Sequence, residues 1–172
     1  MKTAKDIALI GVFTAMLIGG QLVLSGIAGV EVVTVLLLAF SYYFGIIRGL
    51  FVANVFSILR CFIFGFFPTV IILYLVYYNL FVIVFGLMGK RFKELNLKIH
   101  IIIVLAAVFM TVFFTVLDDI ISPLYYGLSL DATKAYAIAS LTAVVPQVIC
   151  TLVTVLLLLP VLIRVFSIMK IN

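Results

Sequence analysis

Apolar runs of roughly twenty residues, interrupted only by turn residues or charge, recur along the whole chain and leave it one solvent to fold in. A helix rises ~1.5 Å per residue and a bilayer's hydrocarbon core is ~30 Å thick, so such a run crosses it once. Six runs are legible, at 7–24, 30–47, 50–67, 69–89, 99–117 and 135–166. Each is predicted helical, because an open strand edge in lipid leaves backbone groups unpaired. Hydrophobic residues make up 67% of the 172 and charged residues 10%, which excludes both a soluble globular domain and a disordered chain. The reading is one all-α integral membrane domain over 1–172 with six transmembrane helices.

Two stretches need separate treatment. The basic start, Met1-Lys2-Thr3-Ala4-Lys5, before an apolar run has the look of a signal peptide. The run is long for one, and residues 25–29 make a weak cleavage site, so it is read as a span. The last run is too long for a simple span. From Asp131, a candidate N-cap, to Phe166 a helix would extend about 54 Å. Pro146 offers a kink, and the part before it is expected outside the hydrocarbon or along its surface.

Charge sets the orientation. With the N-terminus inside, Lys2, Lys5, Arg48, Lys90, Arg91, Lys93, Lys98, Arg164 and Lys170 all fall inside, nine of the eleven basic residues. Glu31, Asp118, Asp119 and Asp131 fall at outer ends. The positive-inside rule then places both termini in the cytoplasm. The net charge of +5 is thus a topology signal, and no nucleic-acid partner is expected. Cys61 and Cys150 lie in apolar runs without metal-ligand spacing and are read as small packing residues. His100, after the basic loop, is read as interfacial. No metal and no cofactor are expected.

Helical rise turns sequence offset into depth. Arg60 lies twelve residues past Arg48, about 18 Å up and just beyond the midplane. A charge there costs several kcal/mol (~2.5–3.5 on insertion scales), so it faces protein or a watery cavity and marks a functional site. Asn79 comes out at about 16 Å, Glu31 and Gln147 at about 26 Å, and Asp118 at about 30 Å. Tyr74, Tyr77 and Tyr78 add amphipathic rings, and Tyr125 and Tyr126 are placed to reach in from the last outer connection. Mixed aromatic and polar linings suit a small-molecule pocket. The candidate substrate-binding set is therefore Arg60, Asn79, Gln147, Tyr78, Tyr74 and Tyr125, with Glu31 and Asp118 near the entrance. The competing reading of the same residues is an Arg60–Glu31 or Arg60–Asp118 ion pair that only holds helices.

An outer cavity above an apolar inner half is not a channel, and the chain of buried acids typical of proton-coupled carriers is missing. Residues 86–91 lack the spacing and the Ser/Thr of a P-loop. Any driving energy must come from a partner. On the first helix Ala8, Gly11, Ala15 and Gly19 recur every three or four residues, a small-xxx-small face that permits close helix approach. Internal packing would explain the same stripe.

Together these features resemble the substrate-binding (S) components of energy-coupling factor transporters, the bacterial vitamin uptake systems. Shared are the size, six helices, both ends inside, a short basic N-terminus and the small-residue stripe. Where that family has Ala-x-x-x-Ala, this chain reads Gly11-x-x-x-Ala15 followed by Ala15-x-x-x-Gly19. The resemblance implies a multi-pass protein of the bacterial cytoplasmic membrane that binds a vitamin-like small molecule on the outer side. It further implies toppling against a transmembrane coupling subunit driven by two ATPase subunits, with the Ala8/Gly11/Ala15/Gly19 face docking. No enzyme is expected. Alternatives are a lipid-modifying intramembrane enzyme, which the lone His100 and the interfacial Asp118-Asp119 pair fit poorly, and a small secondary carrier.

Overall fold

The computed structural model describes residues 4–27, 29–92 and 94–168. Lys2, Lys93 and Lys170, counted above with the basic side, lie outside these residues. The described chain is all helical: α1 (Ala4–Leu24), α2 (Val33–Phe44), α3 (Ile46–Phe64), α4 (Pro68–Arg91), α5 (Leu97–Tyr126) and α6 (Leu130–Ile168). Five of the six are long and apolar enough to cross a membrane. The exception, α2, has 12 residues and rises only about 18 Å.

Glycine decides where the runs break. Gly45, at φ 87°, closes α2 and starts α3, so the second run ends there and not at Arg48-Gly49. A positive φ is open to glycine without steric cost, whereas Arg48 stays in α3 and reaches Asp6 of α1 at 2.8 Å. Gly65, at φ 100°, ends α3, and Pro68 sits in the first turn of α4, where its missing N–H costs nothing. Asn96 caps α5 by accepting the Ile99 N–H.

The stretch 118–134, left between the fifth and sixth apolar runs, is mostly helix. α5 runs through Pro123 to Tyr126 and α6 resumes at Leu130, leaving only 127–129 as a turn. Ser129, not Asp131, caps α6, its hydroxyl accepting the Ala132 N–H. Polarity there marks emergence from the apolar layer, since α5 with 30 residues and α6 with 39 extend about 45 and 58 Å. Across the protruding hairpin, the Tyr136 hydroxyl donates to Asp118 at 2.9 Å and Ser140 to Asp119 at 3.0 Å. α6 is continuous through Pro146.

Short α2 is the axis of the bundle, touching α1, α3, α4 and α6. From Val33 to Tyr42 nine of its residues are buried. Its C-terminal end is clasped tightly. A methyl group on Gly89 would collide with the Tyr42 carbonyl oxygen, and the Tyr42 hydroxyl donates to the Phe92 carbonyl at 2.5 Å. Arg48, Lys90, Arg91 and Phe166, which packs on Phe13 and Phe44, gather at this same end with Asp6. Glu31 and the 118–140 acids occupy the opposite side. The bundle thus has a basic end and an acidic end.

Candidate functional site

Because α2 is short, the connection that precedes it must descend into the bundle to meet it. Gly29, at φ 76°, lets it do so: a methyl there would lie 2.6 Å from Pro146 of α6. The following residue but one, Glu31, is pinned to α6 through its backbone. Its N–H meets the Cys150 sulfur at 3.3 Å, and the Cys150 thiol donates back to its carbonyl at 3.2 Å. Thr34 in the first turn of α2 donates its hydroxyl to the Glu31 carboxylate. Glu31 is fourteen residues before Gly45 and Arg60 fifteen after it, so both lie about 20 Å from the basic end. Helical offset from Arg48 had put Glu31 well above Arg60. The break at Gly45 removes that difference.

At this level lies a cavity of ≈130 Å³ whose lining includes Gln21, Glu31, Thr34, Tyr74, Tyr77, Tyr78, Thr111, Phe114 and Gln147. Two larger chambers adjoin it. One, of ≈300 Å³, shares Gln21, Gly29, Val30 and Glu31 and adds Arg60 and Phe64. The other, of ≈290 Å³, shares Phe114 and Gln147 and adds Asp118, Tyr136 and Ser140. The tyrosines are held edge-on, Tyr74 to Tyr78 at 5.0 Å and Tyr77 to Phe114 at 4.8 Å, a favourable aromatic geometry. Toward the basic end the core is closed by fully buried Leu37, Leu38, Phe40, Phe81 and Phe85.

Arg60 meets no carboxylate within ion-pair distance among the described residues. Its guanidinium carbon stands 4.5 Å from the Tyr74 ring centre and 5.0 Å from that of Phe64. Cation–π contact offsets part of the cost of burying the charge, yet among the described residues its buried Nε finds no acceptor. Among the described residues the buried Gln21 Oε1 likewise finds no donor.

Of the eight candidate substrate-binding residues, Glu31, Tyr74, Tyr78 and Gln147 share one cavity. Arg60 and Asp118 line the two chambers on either side. Asn79 and Tyr125 stand apart. Asn79 exchanges amide hydrogen bonds with Asn54 at 2.8 and 3.1 Å and donates to the Leu75 carbonyl, which ties α4 to α3 and occupies its polar atoms. Tyr125 is exposed at the hairpin tip beside Tyr126, because α5 continues past the apolar layer. Gln21, Thr34, Thr111 and Phe114 went unread in the sequence. Gln21 is the one with a signal, an amide inside an apolar helix, whereas the two threonines look like ordinary membrane-helix residues until neighbours are known.

The small-residue face of α1 turns outward. Ala8, Gly11 and Ala15 are exposed, and a methyl on Gly11 or Gly19 would meet nothing within 4 Å. The buried face of α1 is Ile10, Phe13, Thr14 and Leu17. A separate groove of ≈510 Å³ at the basic end, lined by the α2–α3 turn, Arg48 and Lys90, shares no residue with the candidate site. Compared with known proteins, the chain matches no family model, no curated protein and no solved structure.

Proposed function

We propose that this protein is the solute-binding subunit of an energy-coupling factor type uptake system in the bacterial cytoplasmic membrane. The observation that carries the reading is a polar, tyrosine-lined cavity at the acidic end, closed by apolar core toward the basic end. Such a site holds a small molecule and offers no continuous polar path across the bundle. By the positive-inside rule the basic end, with both termini, is cytoplasmic and the cavity opens outward. α2 and its descending connection together make the sixth pass. The chain binds its solute and catalyses nothing.

The outward face of α1 supports a partner. Ala8, Gly11 and Ala15 are exposed, and open space beside Gly11 and Gly19 among the described residues leaves a stripe on which another membrane helix can lie close. In this reading that helix belongs to the coupling subunit, and two ATPase subunits supply the energy. The solute is a vitamin-like micronutrient. Affinity purification from mild detergent, followed by mass spectrometry under native conditions, tests the whole proposal. Expected are a small molecule retained by the chain and co-elution of ATPase subunits; their joint absence would overturn it.

A further inference from the structure

From the acidic end inward, two successive spaces carry formal charge of one sign. Asp118 lines the ≈290 Å³ chamber, Glu31 lines the ≈130 Å³ cavity, and the two spaces share Phe114 and Gln147. Among the described residues that line either space, none is lysine, arginine or histidine. Glu31, the inner acid, keeps part of its surface accessible. Its carboxylate accepts from the Thr34 hydroxyl, and among the described residues no cation stands within ion-pair distance of it. A carboxylate taken out of water and left without a counter-charge is costly. The bond to Thr34 alone would need only an acceptor at position 31, not a charge.

From this we infer that the solute carries an ammonium group, which enters along the acidic side and pairs with the Glu31 carboxylate. The inference rests on the solute-binding reading above and narrows it to amines. Tyr77, Tyr78 and Phe114 line the same cavity, and aromatic rings attract a cation through their faces. A metal ion is the poorer occupant, since no group of three His, Cys, Asp or Glu able to hold one occurs among the described residues. Arg60 sets the character of the ligand's other end. It lines the ≈300 Å³ chamber together with Glu31 without pairing with it. A molecule lying between the two therefore brings its ammonium to Glu31 and an acceptor, such as a carboxylate, to Arg60.

Isothermal titration of the full chain in detergent at neutral pH tests this with phenethylamine, phenylalanine, phenylethanol and phenylpropionate. The four share a ring on a short arm and differ in how it ends: an ammonium, an ammonium with a carboxylate, a hydroxyl, or a carboxylate alone. Both amines are expected to bind about tenfold or more tighter than phenylethanol and phenylpropionate, for the charged hydrogen bond the latter two lack. Glu31→Gln keeps an acceptor for Thr34 and removes the charge, so it should bring the amines down to the phenylethanol level. The wild-type comparison stands even if that variant misfolds. Phenylethanol or phenylpropionate matching the amines would overturn the ammonium. So would amine binding unchanged in Glu31→Gln, or no amine binding at millimolar concentration. If phenylpropionate binds best and loses its affinity in Arg60→Met, the solute site stands and the ammonium falls. Probes indifferent to both variants would remove the proposed site itself.

Discussion

At the scale of single residues, burial and partners separate two kinds of polar group in this bundle. Ser41, Ser57 and Thr111 each donate to a backbone carbonyl four residues back, which satisfies a hydroxyl in an apolar layer and requires no ligand. Arg60 is different, since among the described residues only aromatic faces are set against its charge. Arg60→Met should therefore fold, as judged by monodisperse elution, yet lose its solute. The expected loss is about 2–5 kcal/mol, or roughly 30-fold and upward in affinity. A folded variant that retains solute like wild type would reduce Arg60 to a packing charge. Glycine supplies a second test at this scale. Gly89→Ala sets a methyl against the Tyr42 backbone, and such overpacking costs about 1–3 kcal/mol or more. Gly11→Ala meets open space. Thermal unfolding in detergent should show a lowered midpoint for the first and none for the second; equal midpoints would mean that the α2–α4 clasp is loose.

Between elements, two contacts do separable jobs. The Asn54–Asn79 pair ties α3 to α4 with every amide bonded. Interhelical hydrogen bonds of this kind contribute about 0.6 kcal/mol on average, up to ~1.7. Removing one partner leaves the other buried and unpaired, which costs more than removing both. Asn79→Leu should accordingly destabilise more than the double change Asn54→Leu with Asn79→Leu, without altering solute affinity. A drop in affinity as large as that of Arg60→Met would return Asn79 to the binding site. The α1 face answers to a different measurement. Ala15→Trp should abolish uptake in cells and association with the coupling subunit, while the isolated chain still binds solute. Loss of solute binding together with uptake would show that this face packs internally, against its exposure here.

For the whole molecule, orientation is the test that reaches furthest, because it decides which side the cavity serves. Lys98→Cys, in the first turn of α5 at the basic end, should react with a membrane-impermeant thiol reagent only after the cells are opened. Leu128→Cys, in the α5–α6 turn, should react in intact cells. The reverse pattern would turn the cavity toward the cytoplasm and end the uptake reading. Much of this architecture follows from composition and spacing alone. Apolar runs near bilayer length force helices, and basic residues segregate to one set of loops, because both are local consequences of solvent and need no neighbours. That Arg60 stands inside an apolar helix was legible for the same reason. Three features were not. Whether Gly45 or Arg48-Gly49 turns the chain depends on which residue tolerates positive φ and which finds a partner, and Asp6 is forty-two residues from Arg48. That the connection before α2 descends depends on Gly29 meeting Pro146 across the bundle. Which polar residues share a cavity depends on helix rotation. Asn79 and Tyr78 are neighbours in sequence, yet one turns to α3 and the other to the cavity. The sequence by itself determined the solvent, the helices and the segregation of charge; only the tertiary structure decided which polar groups face one another, because side-chain direction around a helix is settled by what packs against it.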